Sequence, residues 1–273
     1  MLLASTGALG VGLIALPASA AALPPTVPTC VPKASTGSDS CVKGTIDAVN
    51  GTLGAAYEPI RLGTRVRSTF DPVTDESTTV IIRYDDDGRI NLAGIPACPA
   101  SKVAGKTIAQ AYNVCGPAGS QADNSFLSAP GNVSGLGSTT VAGVDACTML
   151  FKGASNSQVL IWARAPIGNP PSECNNPATN STGSATVVFT GNITNQPAAS
   201  PYGPTLTVPN THTANPALDD FSAVVSRGSV FTARCPAGTS PLKIQAVFDY
   251  TSTPTDTISP PYGGTTQTCP TGT

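Results

Sequence analysis

The sequence predicts a mainly β protein: an antiparallel β-sandwich, built as one large or two smaller sandwich-like halves, with one short helix and disulfide staples. Three observations carry that expectation. The chain has 27 Gly and 26 Pro with abundant Ser and Thr, a composition that suits turns and strands better than helices. Short β-branched and aromatic runs recur between Gly/Pro-rich breaks, and no long helical period interrupts them. Eight cysteines follow an apolar N-terminal run, the pattern of a crosslinked exported chain. Charged residues make up 11% and hydrophobic ones 40%, so the chain can bury a core and is not a solvated polar tract.

Residues 2–16 are almost wholly apolar or small, Pro17 breaks them, and Ala18-Ser19-Ala20 supplies a small-x-small cleavage site. The expectation is a signal peptide over residues 1–20 and a secreted, extracellular mature chain of about 250 residues. No Lys or Arg precedes the run, a departure from the usual positive start. The run is shorter than the about 20 apolar residues a membrane helix needs, and no second one follows, so no membrane span is expected in the mature chain. Cys30 follows Val27-Pro28-Thr29, which is not a lipoprotein cleavage box, so no lipid anchor is expected.

Residues 21–40 read as a Pro/Thr/Ser-rich lead-in, extended by its prolines, and residues 41–273 as the β-sandwich region. Strands are expected over 42–49 and 62–70, the second with Leu62, Val66 and Phe70 on one face and Arg65 and Arg67 on the other. Residues 78–84 are β-branched and aromatic, Asp87-Gly88 signals a hairpin turn, and 90–92 begins the return strand. Val103, Ile108, Ala111 and Tyr112 have helical spacing within 101–114, which Gly116-Pro117 would end. A Gly/Ser/Asn-rich loop at 117–138 is the one plausible internal boundary. Strands resume at 144–151 and at 159–165, where Val159, Leu160, Ile161 and Trp162 are apolar on both faces, as in a strand held between layers. Further strands fall at 185–191, 205–208, 229–234 and 243–251. In the last, Ile244, Ala246, Phe248 and Tyr250 face one way and Lys243, Gln245 and Asp249 the other. That makes roughly nine or ten strands.

Cys30, Cys41, Cys98, Cys115, Cys147, Cys174, Cys235 and Cys269 are even in number and all lie beyond the cleavage site. They read as a disulfide framework, although eight cysteines allow on the order of 100 connectivities. Pairing of neighbours is the expectation: Cys30 with Cys41, Cys98 with Cys115, Cys147 with Cys174, and Cys235 with Cys269. Each pair brackets a turn-rich loop or short helix, and each closed loop contributes about 3 to 4 kcal/mol in the chain-entropy treatment. There is no C-x-x-C, and His212 is the one imidazole, so structural zinc lacks its clustered ligands.

Candidate chemistry is sparse. His212 invites a Ser-His-Asp reading with Asp219 or Asp220 as orienter, yet no G-x-S-x-G elbow marks a nucleophile and the histidine sits in a Pro/Asn/Thr-rich loop. Asp85 and Asp87 lie at alternate positions ahead of Gly88, which invites Ca²⁺. An EF-hand, however, would need an acid where Arg83 sits and a Glu where Gly94 sits. A strand-ending turn with solvated acids is the better account. Glu58, Glu76 and Glu173 are the only glutamates, and Trp162 the only tryptophan, which disfavours a glycosidase with a sugar-stacking platform. A net charge of −2 with 14 scattered basic residues offers no footprint for nucleic acid or anionic lipid. No cofactor is expected.

The run Val80-Ile81-Ile82-Arg83-Tyr84-Asp85-Asp86-Asp87-Gly88-Arg89-Ile90, then Gly94-Ile95-Pro96-Ala97-Cys98-Pro99, Gln110-Ala111 and Cys115-Gly116, resembles a group of functionally uncharacterised exported proteins of actinobacteria. Asp220-Phe221 and Ala233-Arg234-Cys235-Pro236 fit the same group. The chain departs from it after Cys115-Gly116, where a Val-Gly-x-Gly segment usually follows. The resemblance implies secretion and paired cysteines, and it assigns no reaction. The function expected from the whole reading is a non-catalytic extracellular or cell-envelope binding or structural module of unknown ligand. The rival is an extracellular hydrolase with a poorly marked site.

Overall fold

Successive side chains of a strand point to opposite faces, so alternation in the sequence decides which side of each strand is dry. Over Ile244–Tyr250 the residues Ile244, Ala246, Phe248 and Tyr250 are all buried, while Gln245 and Asp249 are half-buried and the preceding Lys243 is exposed. The same rule places Val80, Ile82 and Tyr84 inside and Ile81 and Arg83 toward the outside. These assignments come from a computed structural model, which describes residues 29–32, 39–49, 52–68, 77–116, 127, 131–136, 144–164, 186–209, 211, 217–236, 242–250 and 256–258.

The strands, in chain order, are β1 (Thr29–Pro32), β2 (Asp39–Ala48), β3 (Glu58–Ser68), β4 (Ser77–Asp85), β5 (Gly88–Ile90), β6 (Gly131–Leu136), β7 (Val144–Lys152), β8 (Gln158–Arg164), β9 (Thr186–Asn195), β10 (Tyr202–Pro209), β11 (Ala217–Val225), β12 (Phe231–Ala233), β13 (Ile244–Tyr250) and β14 (Asp256–Ile258). Helices α1 (Ala100–Val103) and α2 (Ile108–Cys115) lie between β5 and β6. Every strand pairing is antiparallel. All strands but β12 and β5 form one path, β1-β2-β3-β11-β6-β7-β8-β9-β10-β4-β13-β14. A second, small sheet of β3, β12 and β5 branches from its side.

The long sheet curls until its far end meets its start. β13 and β14 pack against β2, and the hydroxyls of Ser40 and Tyr250 hydrogen-bond across that seam. Its inner faces therefore pack on one another in a sandwich-like core that includes Val42, Leu62, Ile82, Phe189, Phe221 and Phe248. Burying each such side chain contributes about 1.5–3 kcal/mol. A small apolar cavity of about 30 Å³ remains inside, and the Thr64 and Tyr84 hydroxyls meet at 3.2 Å on its wall. Burial pushes the Tyr84 phenol up to about 12, so it stays neutral.

Strand β8 is buried on both faces, as its apolar run implies. Val159, Ile161 and Ala163 enter the main core, while Leu160 and Trp162 enter a second cluster with Met149, Phe151, Val103, Ile108 and Ala111. That second cluster is the underside of a helical cap. Trp162 Nε1 donates to the Val103 carbonyl at 2.9 Å, Arg164 Nη1 to the Lys106 carbonyl at 2.9 Å, and the Cys98 N–H to the Lys152 carbonyl at 2.9 Å. Cys98 and Cys115 are joined by a disulfide that closes the cap, as neighbour pairing anticipates. The single helix expected over 101–114 is divided. Gly105 takes φ +67°, a left-handed conformation that ends α1, and Thr107 starts α2 with a capping box to Gln110.

Three other expectations need correction. The hairpin anticipated at Asp87-Gly88 turns, but its return strand does not pair with β4, because both edges of β4 are occupied, by β10 and β13. Instead β5 pairs with β12, Ile90 opposite Phe231 and Gly88 opposite Ala233. Second, the stretch 117–138 holds strand β6, which pairs with β7 on one edge and β11 on the other. Third, the lead-in holds strand β1, which pairs with β2 and sets Cys30 directly opposite Cys41.

Candidate functional site

The turn that closes β4 is built by its own acids. Asp85 is buried, and the sequence reading of solvated acids fails for it. Its Oδ1 accepts the Asp87 N–H at 2.9 Å, and its Oδ2 accepts the Lys243 N–H at 2.7 Å. The first bond is an Asx-type turn, the local reason that Asp85-Asp86-Asp87-Gly88 reverses the chain. Burial raises the Asp85 carboxyl to about 6, against the two N–H bonds, which favour its charge; Asp86 and Asp87 add a smaller upward push.

Asp87 meets a cation instead. Its Oδ1 meets Arg234 Nε at 2.7 Å, and the Arg234 N–H donates to the Asp87 carbonyl at 3.1 Å. Arg234 and Arg89 both reach Tyr57, their guanidinium carbons lying 4.9 and 3.7 Å from the ring centroid. The two arginines, the tyrosine and the turn thus lock β5 and β12 to the start of β3.

A cleft of about 430 Å³ opens beside this assembly. Tyr57, Asp86 and Arg89 line one side, and the β9–β10 connection, with Gln196 and Tyr202, lines the other. That connection is fixed: the Gln196 N–H donates to the Gly203 carbonyl at 2.9 Å, Gln196 Nε2 to Thr205 Oγ1 at 3.0 Å, and the Tyr202 N–H to Ser200 Oγ at 3.1 Å. Gly203 lets the two walls touch, since a Cβ there would lie 3.1 Å from the Asp86 Cα. The volume falls within the range of about 300–1,000 Å³ typical of ligand-holding clefts.

No protein family, curated protein or solved structure matches the chain. Among the described residues, no helix is long and apolar enough to cross a membrane.

Of the residues singled out in the sequence, Asp85 and Asp87 do come together with Asp86, their carboxylate oxygens within 4.8 Å of one another. The donor set suits a turn better than a cation, because both Asp85 oxygens accept main-chain N–H groups and Asp87 is paired with Arg234. Cys41 and Cys235 are each disulfide-bonded. Cys147 lies on β7, its backbone opposite Asn132 and Arg164. His212, Cys174 and Cys269 lie outside the described residues, and of Asp219 and Asp220 only the backbone, on β11, is described. Tyr57, Arg89, Tyr202 and Arg234 escaped sequence reasoning. They come from four separate segments, and no local spacing links them.

Proposed function

We propose that the protein is exported and acts outside the cell, or in its envelope, as a non-catalytic binding module whose contact site is the Tyr57–Arg89–Tyr202 cleft. The observation that carries this reading is a preformed, half-polar cleft with walls fixed by main-chain hydrogen bonds, which spares a ligand the cost of ordering them. Asp86 is the one carboxylate that lines the cleft among the described residues, whereas paired-carboxylate hydrolysis needs two. Disulfides at Cys41, Cys98, Cys115 and Cys235 support an oxidising compartment.

The test is capture. Oxidised protein spanning residues 21–273 is probed against glycan, lipid and peptide arrays beside a Tyr57→Ala/Arg89→Ala variant. Retention by the wild type and loss by the variant is the expected result. Absence of any retained ligand, or equal retention by both proteins, would overturn the reading.

A further inference from the structure

The cleft beside β5 is lined by Asp86 and Arg89, two side chains of opposite charge, and by the amides of Asn91 and Gln196. The lining charge therefore sums to zero, and Arg234 beside it is already paired with Asp87. Both amides are held by one half and offer the other. Asn91 Oδ1 accepts the Ala93 N–H at 3.0 Å, and because a main-chain N–H can only donate, the NH₂ is the half of Asn91 left over. Gln196 Nε2 is bonded to Thr205 Oγ1 at 3.0 Å, which leaves Gln196 Oε1. Neither remaining half has a hydrogen-bond partner among the described residues. Asn91 follows β5 and Gln196 belongs to the β9–β10 connection, so a held donor on one wall faces a held acceptor on the other. β10 lies against β5, which keeps the two walls within reach of one bound molecule.

From this we infer that the cleft binds a neutral oligosaccharide, held between the Asn91 amide on one wall and the Gln196 carbonyl oxygen on the other. A hydroxyl both donates and accepts, so the hydroxyls of one sugar satisfy an amide N–H, an amide oxygen, a carboxylate and a guanidinium together. A charged ligand would meet one matching and one opposing charge in the same cleft, since Asp86 and Arg89 both line it. Tyr202 supplies the apolar contact. It lines the cleft and is half-buried, and an aromatic ring packs on the C–H face of a sugar while its hydroxyl stays wet. Tyr57 is not that platform, because the Arg89 guanidinium lies 3.7 Å from its ring centroid. The volume of about 430 Å³ suits a short oligosaccharide rather than a small ion. The inference rests on the binding-module reading and names its ligand class.

The experiment titrates oxidised protein spanning residues 21–273 with neutral gluco-, manno-, galacto- and N-acetylglucosamine oligosaccharides, followed by calorimetry and by the NMR signals of the Tyr202 ring. The expected result is saturable binding of at least one of them, a shift of the Tyr202 ring signals, and an affinity that changes less than about twofold between low and high salt, as befits an uncharged ligand. Asn91→Asp keeps the acceptor for the Ala93 N–H and replaces the free donor with a second acceptor, at an exposed position. It should weaken binding about tenfold with the melting temperature unchanged. Equal affinity of the folded variant and the wild type, or Tyr202 signals that stay fixed when sugar binds, overturns the inference. Should the variant fail to fold, the Tyr202 signals of the wild type decide alone. Capture of a peptide or lipid on the arrays with every oligosaccharide silent overturns the sugar inference and leaves the binding module standing. Silence of the oligosaccharides together with blank arrays overturns both.

Discussion

Removing the Cys98–Cys115 crosslink by Cys98→Ser/Cys115→Ser probes the helical cap and the sheet beneath it together. The bridge spans 17 residues, from just before α1 to the end of α2, and closing a loop of that length corresponds to about 3 kcal/mol of unfolded-state entropy. At about 2–4 °C per kcal/mol for a chain of this size, the melting temperature should fall by about 6–12 °C. Trp162 supplies the assay. It is the only tryptophan, it is fully buried, and its indole N–H is held by Val103 of α1. Urea unfolding followed by its emission should therefore show a lower midpoint together with a red shift in the native baseline as the cap loosens over Phe151 and Leu160. A loss below about 1 kcal/mol with native emission unchanged would mean that the sheet, not the crosslink, holds the cap, and would refute the reasoning.

Acidification tests Asp85. Its folded pKa of about 6 lies above the unfolded value of 3.8, so the folded state holds the extra proton between them. The stabilisation is then fully present below the lower value and lost as pH rises through the upper one. Relative to Asp85→Asn, the wild type should gain about 2 kcal/mol in urea unfolding between pH 7.5 and 4.5, and a gap that shrinks on acidification contradicts the burial argument. At the seam, Ser40→Ala and Tyr250→Phe should couple by about 1 kcal/mol in a double-mutant cycle, while strictly additive effects would mean that the sheet ends do not meet there. Gly116→Ala would place a Cβ 2.2 Å from the Tyr112 carbonyl oxygen and should cost at least about 2 kcal/mol in thermal unfolding; an unchanged melting temperature excludes that packing at the α2 terminus.

What the sequence made legible follows from how local each signal is. The strands at β2, β4, β7, β8 and β13 announce themselves by alternation or by β-branched runs, and the two-sided burial of β8 follows from consecutive apolar residues. Strand β6, Gly-Asn-Val-Ser-Gly-Leu, has too few large side chains to show a period, and β11 hides its period behind Asp219-Asp220. Both are set by their neighbours in the sheet. The Thr107-Ile108-Ala109-Gln110 capping box was a readable start for α2, and Gly105 a readable stop for α1. The hairpin failed for a non-local reason, since competition from β10 and β13 for the edges of β4 cannot be seen in residues 78–92. The cleft was illegible for the same reason. It assembles Tyr57, the turn at Asp86 and the β9–β10 connection, which only the topology brings together.

Intact-mass analysis of protein recovered from the growth medium tests the central claim, an exported β framework held by sulfur crosslinks, most directly. The account predicts a chain that begins after Ala20 and weighs eight hydrogens less than its reduced form, one for each cysteine. Cell-retained protein that keeps residues 1–20 and titrates with free thiols would contradict it.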